Sequence, residues 1–140
     1  MTTTPLDVIT LGETMVSFAA HEAGPLDAAA TFTKIVAGAE TNVGVGLARL
    51  GLKVAWVSRL GDDSFGRYIR RALEAEGIDC TAVATDTTRP TGFMLKSRAL
   101  EGQDPVVEYF RRGSAASALS RADFDESRFL AARHLHVTGI

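Results

Sequence analysis

Short apolar runs alternate, along the first half of the chain, with segments whose apolar residues recur at helical spacing. Residues 7–11 and 54–57 are apolar runs of strand length with a glycine a short distance on, which is typical of buried strands. Residues 41–50 and 65–73 carry apolar side chains at intervals of three and four, and a glycine ends each segment, so both are predicted to be helices. Residues 81–84 are a further strand candidate. Strands that alternate with helices predict an α/β fold with a parallel sheet covered by helices.

A second pattern, of alternating strand-like segments, interrupts and follows these elements. Residues 15–19 and 32–36 are short strand candidates on either side of a small-residue loop. Residues 91–98 and 106–111 are predicted to be two strands joined by a turn-rich stretch. We expect this later pair to form a hairpin that is added to the parallel sheet and covers its edge.

The last part of the sequence predicts a strand that no following helix would cover. A loop or loose helix start is expected over 113–119, a short helix over 125–132 and a strand over 135–140. A domain seldom ends on a new inner strand, because apolar surface and backbone groups would stay unpaired. We therefore expect the sequence to be the first part of a longer domain.

Composition and charge exclude several classes of function. The sequence has 140 residues, 46% of them apolar and 23% charged, with a net charge of −2, which is typical of an ordinary globular domain. Nucleic-acid binding is not expected, because it depends on clustered Lys and Arg. There is no apolar run near the ~20 residues of a membrane span, and no signal peptide is predicted at the N-terminus. A single cysteine, Cys80, predicts no internal disulfide and favours a reducing, cytoplasmic setting.

The segment from Gly38 to Asn42 is the first candidate site, since it lies between a predicted strand and a predicted helix. Gly38 and Ala39 would let a ligand approach the backbone, while Glu40, Thr41 and Asn42 offer polar groups at a helix start. An ordinary strand–helix turn explains the same residues equally well. The glycines of residues 44–49 do not form a dinucleotide fingerprint, because the third glycine is an arginine, and no P-loop motif occurs.

A second candidate lies on the predicted hairpin. Tyr109 and Arg111 alternate along one strand and share a face, with Phe110 opposite and Arg98 expected nearby on the partner strand. A phenol beside a guanidinium would suit an anionic small molecule that carries hydroxyl groups. The alternative is an exposed hairpin with a solvated arginine.

Metal binding and cysteine chemistry receive less support from the sequence. His134 and His136 share a strand face, but a zinc site needs further ligands and His21 is remote in sequence, so we predict no metal site. Cys80 has no partner nearby in sequence and is expected to be packing.

Six segments together resemble one known family, the ribokinase-like (PfkB) carbohydrate kinases, over essentially the whole sequence. Within that family the sequence is most similar to the amino-terminal part of the branch that acts on 2-keto-3-deoxygluconate. The segments are residues 9–13 (ITLGE), 37–51 (AGAETNVGVGLARLG), 57–66 (VSRLGDDSFG), 90–95 (PTGFML), 109–119 (YFRRGSAASAL) and 134–140 (HLHVTGI).

The resemblance implies a ribokinase-like parallel sheet with a small β-sheet lid, and a substrate held between them. It implies that the lid strands lie near 14–37 and 91–112 of one domain that includes all of residues 1–140. In the keto-deoxygluconate branch the substrate is held by the glycine-rich segment and by a Tyr-x-Arg, with Arg111 facing the substrate carboxylate. A contact on the first lid strand falls at Met94, where relatives can carry Tyr, so a hydroxyl contact is expected to be lost. The implied substrate-binding residues are Gly38, Ala39, Glu40, Thr41, Asn42, Met94, Tyr109, Phe110 and Arg111.

The resemblance also implies what this sequence lacks. The family's D-T-x-G-A-G-D segment, which supplies the catalytic base and lies at the ATP pocket, does not occur in it. The expected parent is a kinase that uses ATP and Mg²⁺ on an acid sugar and forms a homo-oligomer through the lid. This chain is expected to hold the substrate-binding half and no catalytic residue, and to be inactive by itself. Two alternatives stay open: a fructokinase or nucleoside kinase branch of the family, and a non-catalytic small-molecule binding module.

Overall fold

The computed structural model describes residues 5–139, which form two four-stranded sheets flanked by helices. Short 3-10 turns lie at Leu26–Ala28, Ala116–Ala118 and Arg121–Asp123. The helices are α1 (Ala39–Arg49), α2 (Ser64–Ala75) and α3 (Glu126–Ala131). The strands are β1 (Val8–Leu11), β2 (Met15–Ala23), β3 (Phe32–Ala37), β4 (Val54–Gly61), β5 (Val83–Asp86), β6 (Phe93–Arg98), β7 (Val107–Phe110) and β8 (His134–His136).

The first sheet is parallel, in the order β5-β4-β1-β8, which confirms the prediction from alternating strands and helices. Its central strands are buried on both faces, as their unbroken apolar runs require. On one face, Trp56 and Val54 pack with Ile69 of α2 in the main core. On the other face, Ile9, Ala55 and Val57 are covered by residues that include Phe129 of α3.

The second sheet has the order β3-β2-β6-β7 and forms a lid beside the first. The prediction that the late hairpin is added to the parallel sheet is wrong. Strand β6 instead pairs with β2, in parallel, and β7 forms the outer edge. The physical reason is that β2 is nine residues long and its edge away from β3 is free to accept a strand.

One apolar cluster joins the lid to the first sheet. The rings of Phe18, Phe65 and Phe93 lie 5.5 to 6.2 Å apart, so α2 is packed against strands β2 and β6 of the lid. Asp63 strengthens the joint, since it accepts a hydrogen bond from the N–H of Gly66 in α2 and another from the N–H of Thr91 just before β6, both at 2.8 Å.

Several element boundaries differ from the sequence prediction. Helix α1 begins at Ala39, two residues early, so that Glu40, Thr41 and Asn42 lie in its first turn. Strand β5 lies two residues later than predicted, and β8 ends at His136. Ile140, the end of the strand predicted there, lies outside the described residues. No helix among the described residues has the length and apolar character needed to cross a membrane.

Candidate functional site

The candidate site begins at the turn of Gly12 and Glu13, directly after the carboxyl end of β1. In open α/β sheets, ligands bind outside the carboxyl ends of the strands. Trp56 donates an indole hydrogen bond to the carbonyl oxygen of Gly12 at 3.0 Å and so fixes the turn. A Cβ at Gly12 would lie 2.4 Å from the Glu40 carboxyl group, so no other residue fits there without moving Glu40.

Glu13 joins the two sheets by contacting residues that follow the last lid strand. Its Oε2 lies 2.7 Å from Nε of Arg111, in an ion pair with a carboxylate that is 9% exposed. Its other oxygen, Oε1, accepts a hydrogen bond from the Ser114 hydroxyl at 2.6 Å. Ser114 is buried, and its own N–H donates to the Arg111 carbonyl at 3.1 Å, so these three residues form one compact cluster.

The cluster exists because Gly92 leaves room for it. A Cβ at Gly92 would lie 2.7 Å from Glu13 Oε1 and 3.4 Å from Cβ of Arg111. Gly92 is cross-strand from Arg111, one position beyond the pairing of Phe93 with Phe110. A side chain at this position would displace the Glu13 carboxylate from both of its partners.

The lid residues predicted to bind substrate divide between its two faces. Met94 pairs in register with Tyr109, and side-chain alternation places Arg111 on the same face as both. Phe110 lies on the opposite face, where its ring stacks on Phe93 at 4.7 Å, next to the aromatic cluster at α2. Arg98 is not near Arg111 as expected, because it lies at the far end of β6 and donates to the carbonyl oxygen of His21.

Gly38, which is half-buried, and Thr41, which is buried, are held together by hydrogen bonds at the start of α1. The Thr41 hydroxyl donates to the Gly38 carbonyl at 3.2 Å and accepts from the Thr14 hydroxyl at 3.0 Å. A Cβ at Gly38 would lie 2.6 Å from the Thr41 hydroxyl oxygen and 3.0 Å from the Glu13 carbonyl oxygen. Packing alone therefore requires glycine at this position, and it brings Gly38 against the Glu13 turn.

Glu40 carries the carboxylate of the candidate segment, and it is buried, at 4% exposure. Its Oε1 accepts hydrogen bonds from both the backbone N–H and the hydroxyl of Thr138, which follows β8. The carboxylate thus ties the first turn of α1 to the end of the neighbouring strand.

Asn42 is exposed, whereas Thr41, which precedes it in α1, is buried. It lines an open groove of about 460 Å³ between β3, α1 and α2, together with Val45 and Tyr68. Within residues 5–139, no hydrogen bond or ion pair joins Asn42 to Arg111 or to Tyr109. Ala39, half-buried, precedes it in the same helical turn.

The remaining candidate groups lie outside this site. Among residues 5–139, no group of three or more His, Cys, Asp or Glu side chains is arranged to hold a metal ion, although His134 and His136 share strand β8. Burial raises the pKa of the Cys80 thiol to about 11, so Cys80 is a packing residue that stays protonated.

From the sequence, Glu13, Gly92 and Ser114 appear only within the family motifs and receive no role. A signal for Glu13 is present, since a charged residue directly after a buried parallel strand lies where ligands bind. For Ser114 the sequence offers only its spacing of three residues from Arg111. For Gly92 it offers no signal, because the need for glycine arises from a side chain that is remote in sequence.

The sequence was also compared with known protein families and structures. The model of the pfkB family carbohydrate kinases matches residues 6–140. The chain belongs to the pfkB carbohydrate kinase family. Its fold is ribokinase-like, in accord with the similarity to solved structures.

Individual relatives cover nearly all of this chain. A 2-dehydro-3-deoxygluconokinase of Bacillus subtilis is 48% identical over 96% of the chain and 42% of the relative. The crystal structure of a PfkB protein from Polaromonas sp. JS666 is 58% identical, with a TM-score of 0.89, over 94% of this chain and 44% of that one. A fructokinase structure from Halothermothrix orenii is 32% identical, with a TM-score of 0.83, over 94% of this chain and 45% of the fructokinase chain. The chain therefore spans less than half the length of the relatives it matches.

Proposed function

We propose that the protein to which this chain belongs transfers the γ-phosphate of ATP to a hydroxyl of 2-keto-3-deoxygluconate or a similar acid sugar. In this proposal the 140 residues supply the part that binds the substrate. The similarity to a 2-dehydro-3-deoxygluconokinase supports the substrate class, and the arrangement around Arg111 supplies a physical reason for it.

The proposal depends on one observation, the placement of the Arg111 guanidinium. Its side chain is 37% exposed and turned towards the Glu13 carboxylate, at the carboxyl end of the parallel sheet, rather than into bulk water. Among the described residues, none forms a hydrogen bond with its two terminal nitrogens. A guanidinium presents five N–H donors in a planar fork and binds a carboxylate through two parallel bonds.

Other substrate contacts follow from the same surface. Tyr109, 58% exposed on the Arg111 face of the lid, offers a hydroxyl to the sugar. Met94 beside it offers only apolar contact. From the opposite side we assign the backbone of Gly38 and Ala39 and the side chain of Asn42. Glu40, Thr41 and Phe110 act in this proposal by shaping those contacts, since their own polar atoms or rings are held by protein.

In this proposal ATP and Mg²⁺ take part in the reaction, and their binding site lies mostly outside this chain. The described part of the chain contains neither a P-loop nor a cluster of acidic side chains that fits a metal ion. The proposal assigns no catalytic residue to this chain. Its role is to hold the sugar still, which is a large share of the work in phosphoryl transfer.

An ATP-dependent assay on the full-length protein tests the proposal. We expect ADP formation with 2-keto-3-deoxygluconate and much less with neutral hexoses. The substitution Arg111→Ala should raise the KM for the acid sugar by about 10- to 100-fold, because a charge-assisted hydrogen bond contributes ~1.5–3 kcal/mol. The matched variant Arg112→Ala removes an exposed charge next to it and should leave KM unchanged. Equal activity on neutral and acid sugars in the wild type would refute the assigned substrate.

A neutral-sugar kinase is the second candidate, and two observations favour it. Glu13 already neutralises Arg111, and the chain is 32% identical to a fructokinase structure. If this candidate is correct, the same assay will show fructose or a related neutral sugar as the preferred substrate.

We also propose that the protein is a homo-oligomer in the cytoplasm, with contacts through the lid. The lid's outer strands β3 and β7 have free edges among the described residues. Exposed apolar side chains occur at those edges, including Ile35 at 44% and Phe110 at 47% exposure. An ATP-dependent kinase works where ATP is maintained, and the buried thiol of Cys80 suits a reducing compartment.

A further inference from the structure

The Glu13 carboxylate is held from two sides, which is more than an ordinary surface ion pair requires. Ser114 donates to one oxygen at 2.6 Å, and Nε of Arg111 lies 2.7 Å from the other. Ser114 is itself 1% exposed and is kept in place by the turn that follows Arg111, where Ser117 donates its hydroxyl hydrogen to the Ser114 carbonyl. The carboxylate is therefore a fixed charge, and the more exposed guanidinium is the group whose position it sets.

We propose that Glu13, supported by Ser114, is the positioning residue that makes Arg111 selective for a carboxylated ligand. This inference rests on the function proposed above and deepens it. Glu13 does not touch the ligand in this proposal. It acts through Arg111, by holding the Nε edge of the guanidinium so that the remaining N–H donors face the ligand.

The physical reason is the conformational freedom of arginine. A free arginine side chain loses up to ~2 kcal/mol of rotamer entropy when it is fixed. With Glu13 in place, part of that loss occurs during folding rather than during binding, so the ligand meets a guanidinium that is already oriented. Because a guanidinium carries five donors, one carboxylate at the Nε edge leaves donors for a second one.

Glu13 also has an opposing effect, since its negative charge repels an anionic ligand. Two unit charges 6 Å apart repel by about 0.7 kcal/mol in water and more at lower dielectric. The two effects predict opposite results when the charge is removed. We expect orientation to dominate, because Ser114 fixes Glu13 through Oε1 while Oε2 holds Nε of Arg111.

The experiment compares KM values for an acid sugar and a neutral sugar in the full-length protein. We take 2-keto-3-deoxygluconate as the acid probe and a neutral ketohexose, at higher concentration, as the other. Glu13→Gln keeps the shape and an acceptor for Ser114 but loses the charge. It should raise the KM for the acid sugar by about tenfold, equivalent to ~1.4 kcal/mol, with kcat and the kinetics on the neutral sugar changed by less than about twofold. Ser114→Ala should change the acid-sugar KM in the same direction by a smaller factor.

A double-mutant cycle separates positioning from a structural effect. In an Arg111→Ala background, Glu13→Gln should have almost no further effect on the acid-sugar KM, because no guanidinium remains to be oriented. The matched control is Asp62→Asn, which removes an exposed carboxylate after the neighbouring strand β4 and should change neither KM. Thermal unfolding midpoints of all variants show whether each one folds.

Three results would overturn the inference. These are a lower acid-sugar KM in Glu13→Gln, equal losses on acid and neutral sugars, and effects of Glu13→Gln and Arg111→Ala that simply add. If Glu13→Gln fails to fold, Ser114→Ala tests the inference instead: an increase in the acid-sugar KM alone supports it, and an unchanged acid-sugar KM overturns it. A wild-type protein with no preference for the acid sugar would instead refute the proposed function, and that outcome is visible before any variant is made.

Discussion

At the scale of single residues, the glycines near the site are explained by the neighbours that a Cβ would meet. Gly38 has an extended backbone, with φ of −172°, so conformation does not require glycine there. Glycine is required because three oxygen atoms lie within 3.0 Å of the position that a Cβ would take. Gly46, about two turns into the helix that Gly38 precedes, has nothing within 4 Å of the position where a Cβ would lie. The two glycines therefore have opposite expected responses to the same substitution.

We predict that Gly38→Ala destabilises the protein and that Gly46→Ala stabilises it. Overpacking at Gly38 should lower the free energy of unfolding by ~1–3 kcal/mol. At Gly46, alanine should raise it by about 1 kcal/mol, because alanine loses less backbone entropy in a helix. Urea unfolding of the full-length variants checks both values. A Gly38→Ala protein as stable as the wild type would show that Thr41 and Thr14 can rotate away.

At the scale of elements, Asp63 determines how α2 and the lid meet. It caps α2 through Gly66 and holds Thr91, and the N–H of Gly61 donates to the Thr91 hydroxyl at 2.9 Å. Partial burial raises the pKa of Asp63, but the hydrogen bonds from Thr91 and Gly66 outweigh burial and keep the pKa below its usual value. One carboxylate thus links the end of β4, the start of α2 and the entry to β6.

This pKa shift predicts a specific pH dependence of stability. Since the folded-state pKa is below the unfolded one, the ionised Asp63 stabilises the fold above the unfolded value of about 3.9, and the contribution is lost as pH falls through the folded value. Asp63→Ala should therefore lower the free energy of unfolding by ~1–3 kcal/mol at pH 7. The difference in free energy of unfolding between Asp63→Ala and the wild type should become smaller below about pH 4. Unfolding midpoints from pH 7 down to pH 3 give the measurement, and Asp62→Ala, on an exposed neighbour, should show no deficit at either pH.

At the scale of the whole molecule, the lid exposes several large apolar side chains near its outer edge. Val106 is 60% exposed, next to the free edge of β7, and Phe110 and Tyr109 follow on that strand. Free strand edges with apolar side chains are sites where chains pair. A partner lid would cover both the edge and these side chains.

We predict that Val106→Lys shifts the full-length protein from oligomer to monomer. A lysine directly before an edge strand opposes pairing, because its charge would be buried against the partner. Sedimentation velocity at several concentrations provides the measurement. Leu50→Lys, at an 80% exposed apolar residue after α1, is the control and should leave the oligomer intact. A wild type that sediments as a monomer at all concentrations would rule out the lid contact.

Much of the fold was predictable because local patterns determine it. The apolar run at β1 and the spacing of apolar residues in α2 depend on neighbours in sequence, and both elements formed where expected. The partner of β6 was not predictable from such patterns, since strand pairing is decided by which edge stays free after the rest of the chain packs. Family resemblance supplied the lid, which periodicity alone did not.

The sequence by itself determined the elements, the parallel sheet and the family, because each depends on local periodicity or on motifs in sequence order. Only the tertiary structure decided the surroundings of Arg111. Glu13 lies 98 residues before Arg111 in the printed numbering, and their ion pair depends on the lid folding back over the end of β1. Gly92 and Ser114 complete that contact from two further points of the chain. Such a cluster arises from packing between distant segments, and no local pattern encodes it.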